Sequence, residues 1–282
     1  MITFGLDAGD LTKGWSETMV GGQSFAWHQV NPDSFTFEGI WSGRYVQLEV
    51  DARVGKLSCR GIGEADRLHF AEYLNLGDRH RFALDRLPWR SDPVLERAIA
   101  TFRGLRILRQ PVEEVLFCFL CSSAKSIIQI RQILNDVSKT YGREVIEGRF
   151  AFPGWPVLNE AGEKALRDLK LGYRARFVSA VAESADSTFF EQLKAADYLT
   201  SKAMLLSLPG IGEKIADCVC LFGLGHGEAF PVDTWIARAM GELYGLDGWS
   251  LAAIAQFGRA HFGADAGLAQ QYIFSYARAR LT

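Results

Sequence analysis

The sequence predicts an α+β protein: an N-terminal antiparallel β-sheet domain with covering helices over residues 1–85, then a mostly α-helical region over residues 86–282. Three observations carry this. Aromatic and aliphatic side chains fall in two runs, Phe35, Phe37, Ile40 and Trp41, then Tyr45, Val46, Leu48 and Val50, broken at Ser42-Gly43. That is a strand–turn–strand signal. From about residue 86 apolar residues recur at helical spacing between capping residues and prolines. Within that region Leu208-Pro209-Gly210-Ile211-Gly212 separates two helical patterns, giving helix, tight turn and helix in close succession.

Composition bounds the rest. At 282 residues and 48% hydrophobic, the chain is long enough for two or three modest domains with their own cores. Its 7 Trp and 19 Phe suit cores and also stacking on bases. No run of about eighteen apolar residues predicts a membrane span, and no basic-then-apolar start predicts a secretory signal. Cys59, Cys118, Cys121, Cys218 and Cys220 are scattered and odd in number, which points to a reducing compartment rather than a disulfide framework. A formal charge of -2 and a pI near 6.2 run against a global nucleic-acid binder, so any such surface must be local. Between Lys164 and Ala182, Lys164, Arg167, Lys170, Arg174 and Arg176 stand against the single acid Asp168.

Taken in order, the first twenty residues carry no periodic signal. Gly21-Gly22 marks a tight bend entering a strand. After the strand pair, Val54 to Cys59 reads as a third strand, and Ala65 to Leu76 as an amphipathic helix with Leu68, Ala71, Tyr73 and Leu74 apolar. Ser91-Asp92-Pro93 supplies an N-cap and an early-helix proline for Val94 to Phe102. Pro111 opens a helix reaching Leu120 and Cys121, whose nearly continuous apolar run makes it the buried central helix. Ser122-Ser123 caps a helix from Ala124 to Tyr141, closed by Gly142. Residues 148–157 form a loop before a helix from Asn159 to Leu169.

The hairpin is the most informative stretch. Tyr198 to Ser207 is its first helix, and Ile211, flanked by glycines, plugs into the core and fixes the interhelical angle. Gly210 and Gly212 permit positive φ and let another backbone approach. The second helix starts with free N–H groups and a positive dipole end, able to hold a phosphate. Lys214 lies in its first turn, where positive charge is disfavoured. That setting suits an amine nucleophile; the alternative is a solvated surface charge. Some twenty residues on, Phe230-Pro231-Val232-Asp233-Thr234-Trp235 makes Asp233 the N-cap of another helix, and the return loop brings its carboxylate within reach of Lys214. Spacing leaves Gly172-Tyr173-Arg174-Ala175-Arg176 either a helix cap with solvated arginines or an exposed tyrosine wedge between two arginines. It leaves Phe274 as a core residue of the last helix.

Together these motifs resemble the helix-hairpin-helix DNA glycosylase superfamily. Pro209-Gly210-x-Gly212-x-Lys214-x-Ala216-Asp217-Cys218, then Pro231-Val232-Asp233, is similar to its 8-oxoguanine DNA glycosylase branch. The resemblance runs from about residue 20 to the C-terminus and is strongest over 171–235. It implies a bifunctional DNA glycosylase/AP lyase that flips oxidised guanine out of duplex DNA, with Lys214 attacking C1′ and Asp233 its partner. Gly22-Gln23-Ser24-Phe25-Ala26-Trp27 matches the family's Gly-Gln-Ser-Phe-x-Trp, in which the glycine carbonyl accepts the N7–H that 8-oxoguanine has and guanine lacks. The resemblance also implies a base pocket from Cys218, Gln270 and Phe274, the glutamine bonding the base edge and the phenylalanine stacking on it. Tyr173 intercalates and Arg174 reads the opposite cytosine, while Arg176, Gly210, Gly212, Ser123, Lys125 and Gln129 face DNA. The carbonyls of Leu206, Leu208 and Ile211 hold a cation bridging to DNA. No cofactor is required, and the cysteines lack the C-terminal clustering of an iron–sulfur glycosylase. The implied partner is duplex DNA containing oxidised guanine, bound by a monomer that is neither membrane-bound nor secreted, in the nucleoid-bearing cytoplasm or the nucleus.

Three positions depart from the eukaryotic pattern. Ala124-Lys125-Ser126 follows Cys121-Ser122-Ser123 in place of an asparagine-rich cluster, Gln129 stands where an arginine is usual, and Trp235 replaces a histidine phosphate contact. Weak selection of the opposite base is the expected consequence. Two rival readings share the fold: a monofunctional glycosylase for alkylated bases, which typically lacks the lysine, and a non-catalytic DNA-gripping hairpin module, which needs no Lys–Asp pair.

Overall fold

The computed structural model describes residues 1–6, 12–31 and 34–281. Strand β1 (Ile2–Gly5) and helix α1 (Thr12–Val20) precede β2 (Trp27–Gln29), β3 (Thr36–Trp41), β4 (Arg44–Asp51) and β5 (Lys56–Arg60). These strands form one antiparallel sheet in the order β1-β5-β4-β3-β2. β3 pairs with β4 from Thr36 opposite Glu49 to Trp41 opposite Arg44, with Ser42 and Gly43 turning between them. Val46, Leu48 and Val50 of β4 are buried while Glu49 and Asp51 face out and Tyr45 and Gln47 are half-buried, the period-two alternation expected of a half-covered sheet.

The opening residues, silent in the sequence, supply an edge strand and a covering helix. β1 buries only Ile2, and α1 packs through Gly14, Trp15, Thr18 and Met19, so neither shows a clear apolar period. The helix expected over 65–76 is shorter, α2 (Arg67–Tyr73), after a 3-10 turn at Glu64–Asp66. Leu68 is exposed; Phe70, Tyr73 and Leu74, at i, i+3 and i+4, form the buried face instead. Trp15, Trp27, Phe37, Leu48, Leu57 and Phe70 anchor a core of the sheet's own, closed from outside by Leu108. Gln23 joins this layer to the helices. Its Nε2 donates to the Arg106 carbonyl, its Oε1 accepts from Leu108 N–H, and its carbonyl accepts from Gln110 Nε2, each at 2.8 Å. A glutamine so fully bonded is stable when buried, and it pins the Gly21-Gly22 bend.

The helical region comprises α3 (Asp78–Arg86), α4 (Pro93–Thr101), α5 (Val112–Leu120), α6 (Ile127–Tyr141), the hairpin β6 (Glu144–Ile146) and β7 (Arg149–Phe150), α7 (Trp155–Leu166), α8 (Arg174–Ser184), α9 (Ser187–Ala195), α10 (Tyr198–Leu206), α11 (Glu213–Val219), α12 (Thr234–Tyr244), α13 (Leu251–Phe262) and α14 (Ala266–Leu281). Asp92 caps α4 as expected, accepting from Val94 and Leu95 N–H at 3.0 and 2.9 Å ahead of Pro93. α5 is buried continuously from Val115 to Leu120 and packs against α8 and α11. The cap of α6 is Ser126 rather than Ser122-Ser123: Ser126 and Gln129 bond each other's backbone reciprocally, a capping box. α7 begins at Trp155, earlier than expected, because Gly154 at φ 84° turns the chain and a proline fits the first turn. Among the described residues no helix is long and apolar enough to cross a membrane.

Candidate active site

The hairpin is built by local rules. Asp197 caps α10 by accepting from Thr200 N–H at 2.8 Å, the chain turns at Ser207 to Gly212, and α11 follows. Ile211 is buried in the helical core, as its position between glycines predicts. The two glycines differ. Gly210 has φ +81°, and a Cβ there would stand 2.4 Å from the Phe177 ring; Gly212 has φ -104°, and a Cβ there would meet nothing within 4 Å. Gly210 therefore shapes the turn, while Gly212 leaves an open approach to the N-terminus of α11.

Lys214 lies in the first turn of α11, its Nζ 3.2 Å from Ser122 Oγ and 5.0 Å from the Phe119 ring centre. Phe119 is itself fixed between Phe25 and Phe222, at 5.5 and 5.4 Å between ring centres. Asp233 caps α12, with Oδ1 accepting from Ile236 N–H at 2.8 Å. Lys214 and Asp233 line one cleft of about 850 Å³, walled also by Ser122 to Lys125, Gly210, Gly212, Leu251 and Ala252. Among the described residues neither makes an ion pair. Behind the lysine, Tyr198 OH and Lys202 Nζ donate to Asp217 Oδ1 at 2.7 and 2.9 Å, and Lys202 also reaches Glu213 Oε2 at 2.7 Å. Burial works to lower the Lys202 pKa, but the hydrogen bonds to Glu213 and Asp217 outweigh it and the net shift is upward.

The four residues assigned to the base pocket do not line this cleft. Gly22 has φ +118°, and a Cβ there would come within 2.9 Å of Ile127 Cδ1. The carbonyls on either side of it, of Gly21 and Gln23, accept from Arg278 and Gln110; among the described residues nothing donates to that of Gly22. Cys218 is buried, and burial pushes its thiol up to about 12, which makes it a packing group rather than a nucleophile. Gln270 is buried, its Nε2 donating to the Pro231 carbonyl at 3.0 Å and its Oε1 accepting from Gln271. Phe274 is half-buried and packs against the helical core beneath the Arg278 guanidinium, 5.2 Å from its ring centre, while Ala269, Tyr272, Ile273 and Tyr276 are among the fully buried positions of α14.

Tyr173 is exposed as expected, following Gly172 at φ 61°. Arg176 is exposed, its guanidinium over Phe177. Arg174 departs from the expectation of an exposed flanking arginine. It is buried on the inward face of α8 with Ala175 and Val178, donating to the carbonyls of Leu171 and Ser123, its guanidinium 4.4 Å from the Tyr173 ring centre. It thus joins α8 to the Ser122–Lys125 loop. Gln129 spends its amide oxygen in the capping box, and Ala124 holds a left-handed φ of 52°. At the turn the Leu208 carbonyl accepts from Ile211 N–H at 3.3 Å. All five cysteines are buried free thiols.

The sequence does not single out Ser122 or Phe119 as neighbours of the lysine, although both lie beside the Cys-Ser-Ser motif. Nor does it reveal Glu17 with Arg278, paired at 2.5 and 2.7 Å across 261 residues, where the same guanidinium holds the Gly21 carbonyl. No local pattern carries a contact of that span.

The sequence pattern of the 8-oxoguanine DNA glycosylase N-terminal domain matches residues 13–116. A probable N-glycosylase/DNA lyase of Methanothermobacter thermautotrophicus is 28% identical over 211 residues, 66% of this chain and 68% of that protein. The N-glycosylase/DNA lyase of Saccharomyces cerevisiae is 30% identical over 245 residues, 77% of this chain but 64% of that protein, so the chain spans less than two thirds of the yeast relative. Among solved structures, the apo form of Clostridium acetobutylicum 8-oxoguanine glycosylase/lyase gives a TM-score of 0.84 at 30% identity over 92% of both chains. The same protein with double-stranded DNA containing cytosine opposite 8-oxoguanine gives 0.85 at 29%, covering 94% of this chain and 92% of that one.

Proposed function

This chain belongs to the 8-oxoguanine DNA glycosylase family, and on that premise we propose that it is a bifunctional DNA glycosylase/AP lyase excising 8-oxoguanine from duplex DNA. The observation that carries the reading is the meeting of Lys214 and Asp233, from two separate helices, on the walls of one cleft sized for a nucleotide. C1′ is inaccessible in a stacked duplex, so the damaged nucleotide must be flipped out, with Tyr173 as the wedge that takes its place. The Gly22 carbonyl, to which nothing donates among the described residues, accepts N7–H of the lesion, a proton that guanine lacks. The neutral Lys214 amine attacks C1′, the glycosidic bond breaks and the base leaves with its electron pair; sugar-ring opening gives a Schiff base. Elimination of the 3′ phosphate then cleaves the strand. Asp233 offsets positive charge developing on the sugar. The amine chemistry needs no cofactor. The Leu206, Leu208 and Ile211 carbonyls suit a cation bridging to a DNA phosphate, since the long Ile211–Leu208 bond leaves a lone pair and Leu206 ends its helix. The protein acts as a monomer where the genome lies, in the nucleoid-bearing cytoplasm or the nucleus.

Borohydride trapping on duplexes carrying 8-oxoguanine tests this. A covalent protein–DNA adduct together with base release is the expected result; base release without an adduct would mean a monofunctional enzyme, and binding with neither would mean a gripping module.

The same duplexes test selection of the opposite base. Reading cytosine needs several groups aimed at its Watson–Crick edge, and here Arg174 is buried, Gln129 is held in a capping box and Ala124 has no polar side chain. A good bidentate contact is worth about 1–3 kcal/mol of discrimination. Excision is therefore expected opposite all four bases with cytosine favoured only modestly, and single-turnover rates on four duplexes measure it. A thousandfold preference for cytosine over adenine refutes the expectation.

The two hairpin glycines should separate folding from binding. Gly210→Ala places a Cβ against Phe177 at positive φ and is expected to destabilise the fold by about 2–4 kcal/mol. Gly212→Ala should melt like wild type, within about 0.5 kcal/mol, yet bind duplex DNA more weakly because its methyl intrudes where the phosphate approaches. Thermal melts and equilibrium DNA binding on the two variants distinguish these effects.

A further inference from the structure

Two carboxylates share the helix of the reacting lysine. Asp217, three residues after Lys214, lies on the same helical face; Glu213 immediately precedes it, and both line the cleft. Left free, either would favour the protonated form of a neighbouring amine. Neither is free. Lys202, from the first helix of the hairpin, binds Glu213 Oε2 at 2.7 Å and Asp217 Oδ1 at 2.9 Å, and its side chain is only 12% exposed. Tyr198 OH donates to the same Asp217 oxygen.

We propose that Lys202 is a positioning residue for excision: by occupying Glu213 and Asp217 it keeps both carboxylates from forming a salt bridge with Lys214, the amine that must attack C1′. The inference rests on the reading of Lys214 as the nucleophile. The other groups around that amine are Asp233 from α12, Ser122 and Lys125 from the loop after α5, and the buried thiol of Cys218 one turn on. Asp233 is the only carboxylate among these, and its Oδ1 is committed to capping α12. Lys202 itself stays charged, because the bonds to its two carboxylates outweigh its burial.

The sign of the effect follows from charge. A neutral side chain at 202 removes one positive charge and releases negative ones, and both changes favour protonated Lys214. The rising limb of the pH profile for single-turnover excision should therefore move to higher pH in Lys202→Met, by about half to one unit. That is a roughly three- to tenfold slower rate at a pH on the limb. Lys202→Arg keeps the charge and should restore the wild-type limb. Lys202→Met combined with Glu213→Gln should move it part of the way back, because one released carboxylate is gone. Lys202→Gln retains a donor for buried Asp217 and serves if the methionine variant does not fold, which thermal melts decide. A purely structural role predicts a lower melting temperature with the limb unmoved. An unmoved limb in a folded neutral variant, or a shift that Lys202→Arg fails to reverse, overturns the inference. If wild type traps on 8-oxoguanine DNA and the limb stays put, this inference alone fails. If wild type does not trap at all, the glycosylase reading fails and takes this one with it.

Discussion

Lys214→Gln is expected to abolish both base removal and borohydride trapping, a loss of about 10⁴-fold or more in single-turnover rate, or roughly 5.5 kcal/mol. The size follows from the chemistry: without a primary amine no bond forms to C1′ and no Schiff base can exist to be reduced. Binding should survive. Glutamine still offers a polar end to Ser122 Oγ, and only the contact with the Phe119 ring and one charge are lost, so lesion-DNA affinity should stay within about tenfold, ~1.4 kcal/mol. Stability should fall by no more than about 1 kcal/mol. Undiminished trapping in this variant assigns the nucleophile elsewhere, and Lys125, which lines the same cleft, is the first to test.

What the sequence made legible was what local chemistry decides. The buried α5 announces itself by an almost unbroken apolar run, α4 by Asp92 and Pro93, and the hairpin by glycines around Ile211. Asp233 is readable as a helix cap because capping depends on a residue and the three that follow it. Features decided by distant partners were not readable. Arg174 faces inward because its guanidinium finds the Ser123 carbonyl, 51 residues away, and spacing alone allows an exposed arginine equally well. The Glu17–Arg278 pair and the Lys202 bridge exist only once the helices that carry them are placed. The cap of α6 is an intermediate case. Ser122, Ser123 and Ser126 all stand before the helix, and Gln129, three residues after Ser126, completes the box that selects the last of them. β1 and α1 stayed silent because one buried residue in a strand and packing through a glycine leave no period to detect.

Asp233 does two things with one side chain, and two substitutions separate them. Its Oδ1 caps α12, while its negative charge faces the cleft that holds Lys214. Asparagine caps a helix about as well as aspartate, so Asp233→Asn should lose at most about 0.3–1 kcal/mol of stability, the part due to charge at a helix N-terminus. The effect on catalysis should be far larger. Positive charge develops on the sugar as the glycosidic bond breaks, and removing one preorganised electrostatic partner of this kind costs about 10²–10³ in rate, about 2.7–4 kcal/mol. Asp233→Ala should show the same rate loss and in addition lose the cap, about 1 kcal/mol, visible as a lower melting temperature. A pre-formed abasic site provides the internal control. There the base has already gone, no glycosidic bond breaks, and Lys214 needs only to condense with an aldehyde, so trapping on abasic DNA by Asp233→Asn should be much less impaired than excision of 8-oxoguanine. If Asp233→Asn excises at the wild-type rate while Asp233→Ala does not, the carboxylate serves α12 alone, and stabilisation of the sugar must come from another group in the cleft.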